Sequence, residues 1–245
     1  MMVITLIVIH WYISLFFQTF FLHRYASHNL YKMSPAWEKI FFFLTFIFQG
    51  SSFLHPGAYA MMHRKHHKYA DTIEDPHTPQ LVNNICEFNK KTFVEYRKIV
   101  NQFNRGEINL KDVPRWPLLE RLGDYYSTRI LFILAYMMLY WIFSPSIWYF
   151  VFIPLHVFMG PIHGFIVNWF GHLIGYRNFN DLEDHSQNTL PVDFLMMGEL
   201  YQNNHHKEPT RSNFSHKWFE VDLGYLIALL LQKMNIIQLN KVNKV

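Results

Sequence analysis

The sequence has a single cysteine, Cys86, and little charge: 16% of its 245 residues are charged, whereas 51% are hydrophobic and 18% are aromatic. One cysteine excludes a cysteine-rich zinc site and an iron–sulfur cluster, since both need several thiolates. So much apolar side chain also excludes an ordinary soluble protein of this length. We expect no nucleic acid among its partners.

Charge is absent from two long stretches, residues 1–22 and residues 130–176. A helix rises about 1.5 Å per residue and the apolar core of a bilayer is about 30 Å thick, so the first stretch can cross once and the second twice. The first stretch has neither the basic start nor the cleavage site of a secretory signal, and we expect it to remain as a helix. The sequence therefore predicts an integral membrane protein that forms one domain over residues 1–245, with spans at about 1–22, 128–143 and 147–170.

Residues 40–62 also lack a formal charge, but Gln49-Gly50-Ser51-Ser52 and His55-Pro56-Gly57 interrupt them. If this segment crossed the membrane, the histidines on its two sides would lie on opposite faces. We therefore predict an interfacial or re-entrant helix pair. All 22 lysines and arginines lie in residues 24–129 or 177–245. The positive-inside rule places these loops in the cytoplasm and the N-terminus outside, and we expect the cell (inner) membrane.

The sequence also predicts the structure of three segments that lie between and after the spans. Residues 63–129 carry 12 of the 22 lysines and arginines and several prolines, which predicts a soluble loop with short helices. Val192–His206 is predicted to be a helix. The apolar run Leu223–Leu231 is too short to cross, and we expect it to pack on the cytoplasmic domain or to lie on the membrane.

Seven of the 15 histidines lie in three dense clusters that are far apart in the sequence. The spacing of His63, His66 and His67, at i, i+3 and i+4, places all three on one face of a helix, aimed at one point. A second run, Gln202, His205 and His206, repeats that spacing, and Asn168 and His172 share a face at i, i+4. The candidate metal ligands are eight imidazoles: His23, His28, His63, His66, His67, His172, His205 and His206.

Eight imidazoles exceed what one ion can bind, so the sequence predicts two metal ions. Imidazole suits zinc, copper, iron and nickel. Zinc has no redox chemistry, whereas two adjacent irons can activate O2 and remove hydrogen from an unactivated C–H bond, and a membrane supplies long-chain substrates. Several carboxylates near the clusters could accept the free ring N–H of a ligand histidine, or could be ordinary solvated acids. They are Asp71, Glu74, Asp75, Asp184 and Glu199.

These motifs resemble the three histidine boxes and the additional Asn-x-x-x-His element of the membrane fatty acid desaturases, in particular their acyl-CoA desaturase branch. The resemblance extends from about residue 10 to about residue 238. The motifs that carry it are His23-Arg-Tyr-Ala-Ser-His28, His63-Arg-Lys-His66-His67 through Asp75-Pro76-His77, Asn168-Trp-Phe-Gly-His172, and Gly198-Glu199 before Asn203-Asn-His205-His206.

The resemblance implies an all-α membrane bundle under a cytoplasmic helical cap, with a di-iron centre whose direct ligands are the matching histidines. It also implies that Asn168 reaches its metal through a water molecule. The reaction would insert a cis double bond into a saturated long-chain acyl group, carried by CoA or linked to a lipid, with O2 as co-substrate. Electrons would come from a separate donor such as a ferredoxin, or a b-type cytochrome with its reductase.

Two features depart from the family. The family has two spans before its first box and this sequence has room for one, so either the first helix is dispensable here or the coding start lies upstream. The third box begins with Gln202 instead of histidine, which leaves one metal short of an imidazole. A carboxamide oxygen could bind iron weakly or hold a metal-bound water. His185 is a candidate to compensate.

Other readings of the sequence stay open. The nearest alternative function is a di-iron lipid hydroxylase. A membrane metal-binding or transport protein is the alternative from another class, and it is disfavoured because the histidines cluster at the membrane surface. His55-Pro56-Gly57 is similar to the haem-binding turn of b-type cytochromes, but it lacks the surrounding acidic domain, so a separate donor is indicated. Five basic residues could bind the phosphates of CoA or simply be solvated: Arg97, Lys98, Arg115, Arg121 and Arg129. Three histidines in the spans are expected to be neutral and to pack in the bundle or line a tunnel: His10, His156 and His163.

Overall fold

The computed structural model describes residues 2–240. Met1, at the start of the first predicted span, and residues 241–245, at the end of the predicted domain, lie outside this range. The described chain is mostly helical. Its main elements are α1 (Met2–Phe17, continued by a π-helix Gln18–Ser27), β1 (Tyr31–Met33), α2 (Pro35–Gln49), α3 (Pro56–Tyr69), α4 (Ile85–Asn104), α5 (Pro117–Asp124), α6 (Tyr126–Phe143), α7 (Ile153–Val157), α8 (Met159–Phe165, continued by a π-helix Ile166–Phe170), α9 (Gln202–Lys207), α10 (Leu223–Lys233) and β2 (Ile237–Leu239). Two short 3-10 helices, Gly50–Ser52 and Ile147–Phe152, precede α3 and α7.

Two helices, Met2–Ser27 and Tyr126–Phe143, are long and apolar enough to cross a membrane. Two bent pairs of helices would each add a span if the pair counts as one: Pro35–Ser52 with Pro56–Tyr69, bent by 79°, and Ile147–Val157 with Met159–Phe170, bent by 64°. The first bent pair covers the segment for which the sequence predicts an interfacial or re-entrant pair. Helix length and composition thus indicate a membrane protein.

The predicted span over 147–170 is divided into two helices by a break at Phe158. Pro161 has no N–H to donate to the carbonyl four residues earlier, at Val157, so the helix cannot continue through this turn. The carbonyl of Val157 instead accepts a hydrogen bond from the Ser51 hydroxyl at 3.1 Å. On the other side of the break, the Gly160 N–H donates to the Ser52 hydroxyl at 3.0 Å. The break is therefore joined to the bend before α3.

Side-chain caps fix the start of α2 and of α3, the helix that carries His63, His66 and His67. Ser34 accepts the N–H of Trp37 at the start of α2, and the His55 ring accepts the N–H of Ala58 at the start of α3. Proline follows each of these caps, at the position where its missing N–H costs nothing. The local sequence thus sets the register of α3, and with it the direction of its three histidines.

The structure corrects the prediction of a helix over Val192–His206. Helical hydrogen bonding begins only at Gln202, because Met197 and Gly198 have positive φ angles of 56° and 97°. The Asp193 carboxylate organises the turn instead by accepting the N–H groups of Met196, Gly198 and Leu200 at 2.8–2.9 Å. Only the last turn of the predicted helix exists.

A second correction concerns the all-α class. Tyr31–Met33 and Ile237–Leu239 form a two-stranded antiparallel pair, with Tyr31 opposite Leu239. The fold is nevertheless mostly helical, as predicted. The pair joins the segment after the first histidine cluster to the segment after α10.

A buried ion pair ties the first histidine cluster to the end of the chain. Arg24 is 1% exposed, and its guanidinium donates to both carboxylate oxygens of Asp222 at 2.9 and 3.0 Å. Asp222 also accepts the N–H of Tyr225 and so caps α10. Because Arg24 follows His23 directly, this contact holds the C-terminal end of the first helix against the start of α10.

Candidate metal centre

Five imidazoles from three helices point their Nε2 atoms at one another. The Nε2 of His63 lies 2.9 Å from that of His23, 2.7 Å from that of His28 and 3.0 Å from that of His67. The Nε2 of His205 lies 3.0 Å from those of His23 and His67. We call these five residues the five-histidine group.

The π-helical end of the first helix explains how His23 and His28 reach the same group. In a π-helix each N–H bonds to the carbonyl five residues earlier, and the N–H of His28 donates to the His23 carbonyl at 3.2 Å. Residues five apart therefore share a face here, which they would not do in an α-helix. The same wider turn occurs at Ile166–Phe170, just before His172.

The remaining three predicted ligands, His66, His172 and His206, form a second group. Their ring centroids are 4.9–5.0 Å apart. The Nε2 atom of each ring is buried without a hydrogen-bond partner. We call these residues the three-histidine group. The structure thus divides the i, i+3, i+4 set of α3: His63 and His67 join one group and His66 joins the other, which corrects the prediction that all three aim at one point.

Four of the carboxylates named from the sequence contact the Nδ1 atoms of these histidines. Asp75 accepts from His66 at 2.9 Å, Asp71 from His172 at 2.8 Å, and Asp184 from His206 at 2.7 Å. In the five-histidine group, Glu199 Oε2 lies 2.5 Å from Nδ1 of His23. A proton on Nδ1 leaves Nε2 with a free lone pair. Glu74 is exposed and has no such contact among the described residues.

The protonation states match this arrangement. Burial raises the pKa of the Asp71 carboxyl, but hydrogen bonds from His172, Thr78 and the main chain of His185 outweigh burial and lower the pKa to about 2. Burial lowers the pKa of His206 to about 4, although Asp184 acts in the opposite direction. At neutral pH the carboxylates are therefore ionised and the His206 ring is neutral, as a metal ligand must be.

These donors fit metal ions that accept imidazole nitrogen. In the three-histidine group, three buried Nε2 lone pairs face one another with no hydrogen-bond donor. In the five-histidine group, Nε2 atoms at 2.7–3.0 Å would need a proton between each pair, and five neutral rings cannot supply one to every contact. A cation at the centre of each group would satisfy all of these lone pairs at once.

Asn168 and Gln202 lie beside His23 and His63 on the wall of a cavity of about 30 Å³, which we call the metal-side cavity. The side-chain amide of Gln202 donates to the Glu199 carbonyl at 2.6 Å, and that of Asn168 donates to the Gly164 carbonyl at 2.7 Å. A cavity of this size holds about one water molecule. His185 contributes only its main-chain N–H, which donates to Asp71 at 2.8 Å, and its exposed ring belongs to neither group.

Sequence reasoning did not select His77, which the structure places next to the three-histidine group. Its ring centroid lies 4.5 Å from that of His66, and both of its ring nitrogens are buried without a partner. Burial lowers its pKa to about 3. The motif Asp75-Pro76-His77 carried the signal, since the N–H of His77 donates to Asp75.

The five basic residues considered for CoA binding do not form one site. Arg97 is paired with Asp124, and Arg115 donates to both carboxylate oxygens of Glu120 at 2.9 and 3.0 Å. Arg129 donates to the main-chain carbonyls of Ser51 and Phe53. The other two, Lys98 and Arg121, are exposed.

The three histidines of the spans have different surroundings. Nδ1 of His10 lies 2.7 Å from Nδ1 of His156, and Nε2 of His156 lies 2.9 Å from the Tyr140 hydroxyl. Both ring nitrogens of His163 are buried without a partner, and this ring lines the metal-side cavity. His55 acts as the cap of α3 and lies 3.4 Å from Glu120.

Apolar helices of membrane length, with two groups of imidazoles held by carboxylates, are typical of a helical membrane protein whose histidines could hold metal ions. The chain belongs to the fatty acid desaturase family, because the model of that family matches residues 1–219. This match confirms both the resemblance seen in the sequence and the enzyme class, oxidoreductase.

Curated relatives agree with this membership. A probable chloroplastic lipid desaturase of Arabidopsis thaliana is 27% identical over 87% of this chain and 56% of its own length. The sn-1 stearoyl-lipid 9-desaturase of Anabaena variabilis is 28% identical over 87% of this chain and 74% of its own length. The acyl-CoA C20 Delta5-desaturase of Anemone leveillei is 27% identical over 91% of this chain and 68% of its own length. The chain thus spans little more than half of the first of these relatives.

Proposed function

We propose that the protein is an O2-dependent fatty acyl desaturase with one iron ion at each histidine group. The observation that carries this proposal is the pair of adjacent imidazole groups, each with carboxylate contacts on Nδ1, in a chain of the desaturase family. Nitrogen-only donors suit iron as well as zinc, but zinc does not change its oxidation state and so cannot activate O2 by accepting and donating electrons.

In this proposal His23, His28, His63, His67 and His205 bind one ion, and His66, His172 and His206 bind the other. Asp71, Asp75, Asp184 and Glu199 fix the ring orientation and keep the proton on Nδ1. Asn168 and Gln202 border the metal-side cavity and hold a water molecule there. When bound, the two irons supply the oxidising chemistry for an unactivated C–H bond.

The reaction balances as follows. Two adjacent CH2 groups of the acyl chain each lose one hydrogen and become a cis CH=CH unit. O2 takes these two hydrogens together with two electrons and two protons, and leaves as two molecules of water. For the two electrons we propose a separate donor, such as a ferredoxin or a b-type cytochrome with its reductase. We place the protein in the cell membrane with the histidine groups on the cytoplasmic side.

A di-iron hydroxylase would use the same centre and differ in its product. Expression in a bacterial host, followed by gas chromatography and mass spectrometry of its total fatty acids, separates the two functions. We expect new monounsaturated fatty acids with wild-type protein and none with His66→Ala. His185→Ala is the matched control, because it removes an exposed ring and keeps the main-chain contact with Asp71. Hydroxylated fatty acids in place of unsaturated ones, or an unchanged product with His66→Ala, would contradict the proposal.

A further inference from the structure

Three cavities follow one another from the five-histidine group to the apolar surface. The metal-side cavity adjoins a second cavity of about 120 Å³, the middle cavity, which adjoins a third of about 820 Å³, the membrane-side cavity. The metal-side and middle cavities share Gln18, Tyr59, His63, Gly164 and Asn168. The middle and membrane-side cavities share Leu54, Asn89, Phe93, Tyr96, Pro161 and Phe165. The shared residues therefore place the three cavities in a row between His63 and the membrane-side cavity.

The membrane-side cavity opens between α6 and the bent pair α7–α8. Ile130 on α6 and Phe158 at the break of the pair both line it, and they are 54% and 55% exposed. The helix Tyr126–Phe143 is a candidate span, and the bent pair counts as another. Two of its walls thus belong to segments of membrane length, and a third, with Phe93 and Arg97, belongs to α4, so the opening lies where the apolar helices meet the charged part of the chain.

The water-facing side offers a narrower contact with the middle cavity. A cavity of about 970 Å³, the cap cavity, lies beside α4 and is lined by Lys65, Glu74 and Lys90 among others. His77 and Phe88 are the two residues that line both the cap cavity and the middle cavity, and they are 5% and 2% exposed. The middle cavity therefore shares more of its lining with the membrane-side cavity than with the cap cavity.

The charges at the membrane-side opening do not suit a polyphosphate. Its two arginines are already bonded, Arg97 to Asp124 and Arg129 to two main-chain carbonyls. The other polar side chains that line it are buried or partly buried, except that of Tyr126, which is exposed and carries a neutral hydroxyl, as tyrosines at a membrane interface often do. Uncharged ester groups of a glycerolipid match this edge better than the phosphates of CoA.

We propose that the substrate is an acyl chain esterified to a membrane glycerolipid, which enters sideways between α6 and α7–α8 and passes through the middle cavity to the metals. This inference rests on the proposed function and goes beyond it by naming the acyl carrier. The lipid head stays at the level of Tyr126 and Arg129, while the apolar walls around Phe93 and Phe165 bind the chain.

The test compares a lipid-linked substrate with a CoA-linked substrate, and it uses tryptophan substitutions to block the opening of the membrane-side cavity. Iron-loaded protein in nanodiscs of phosphatidylcholine with 13C-labelled stearoyl chains receives deuterated stearoyl-CoA, a ferredoxin, its reductase and NADPH. We expect 13C-labelled unsaturated chains and no deuterated ones. Ile133→Trp, in the wall of the membrane-side cavity, should lower the rate at least about tenfold. Leu134→Trp, one residue further on and 52% exposed to the outside, is the matched control and should stay within about twofold.

Two further measurements keep the inference separate from folding defects and from the proposed function. Leu155→Trp fills the same cavity from α7 and should repeat the effect of Ile133→Trp, with iron content equal to that of Leu134→Trp. A phosphatidylcholine with a diazirine in mid-chain should crosslink to α4 peptides that contain Phe93 and Tyr96, even in protein that turns over nothing, and Ile133→Trp should abolish this crosslink.

The outcomes are distinct. Deuterated product from stearoyl-CoA without 13C-labelled product, or full activity and crosslinking in both tryptophan variants, would overturn the lipid route. Crosslinking to α4 without any unsaturated product would support the route and contradict the proposed function.

Discussion

Nδ1 of His66 donates a hydrogen bond to Asp75 at 2.9 Å, while Nε2 of the same ring is buried without a partner. The carboxylate thereby fixes the ring with its lone pair directed at the three-histidine group. Asp71 and Asp184 hold the other two rings of that group in the same way. All three rings are thus oriented before a metal ion binds.

Asp75→Asn should weaken iron binding at the three-histidine group by about 10- to 100-fold, because an amide accepts more weakly and can present its NH2 to the ring instead. Chelator competition on the purified protein measures this. Asp181→Asn is the control, since Asp181 is exposed and pairs with Lys207. Equal iron retention in the two variants would show that the contact with His66 has no part in metal binding.

Gln202 is expected to contribute less than its neighbours on α9. Its side-chain NH2 donates to the Glu199 carbonyl at 2.6 Å, so the amide is held beside the metal-side cavity by a bond that does not involve a metal. Gln202→Ala should lower activity and keep most of the iron, Gln202→His should be tolerated, and His206→Ala, which leaves two imidazoles in the three-histidine group, should lose the iron of that group. Iron analysis and product analysis of the three variants test this. A loss of iron in Gln202→Ala as large as in His206→Ala would make the amide an essential ligand.

The local pattern of the sequence predicted the histidines of α3, the apolar helices and the bend between α2 and α3. It could not predict that His66 leaves His63 and His67, because that division depends on where His172 and His205 arrive after folding. The π-helical end that unites His23 with His28 has no sequence signal of its own. The failed helix over 192–206 has a physical cause in Asp193, whose carboxylate organises a turn that no apolar periodicity reveals.

Long-range contacts explain the other differences. The strand pair joins Tyr31 to Leu239, about 200 residues apart, through backbone hydrogen bonds that only the finished fold brings together. Nothing in the sequence separated His77 from other loop residues, and its burial depends on the long-range fold that brings its ring to 4.5 Å from that of His66. The sequence therefore identified the ligand types, while the fold decided which ligands meet.

Tyr140→Phe should destabilise the membrane helices. The Tyr140 hydroxyl contacts Nε2 of His156, whose other ring nitrogen contacts His10 on α1. Removing the hydroxyl leaves a buried imidazole nitrogen unpaired, which costs about 1–3 kcal/mol in the free energy of unfolding. Thermal unfolding in detergent, with Tyr149→Phe as the control on the neighbouring helix, measures the change. Identical midpoints for both variants would show that this contact does not stabilise the fold.

The topology can be tested with single cysteines in a Cys86→Ser background. Ser146→Cys lies in the turn after α6, and Glu183→Cys lies on an exposed loop beside the three-histidine group. The helix α6 is a candidate span, and it separates this turn from the loop that carries Glu183. A membrane-impermeant maleimide added to intact cells should therefore label only Ser146→Cys. Labelling of both from outside would contradict a cytoplasmic metal centre.

The central claim is that folding divides eight imidazoles into two iron sites, one with five imidazoles and one with three. The iron content of purified wild-type, His66→Ala and His67→Ala protein tests this claim most directly. Wild-type protein should hold about two irons per chain. His66→Ala leaves two imidazoles in the three-histidine group and should keep about one iron, whereas His67→Ala leaves four in the other group and should keep close to two. One iron per chain in the wild-type protein, zinc in place of iron in the active enzyme, or equal losses in the two variants would contradict it.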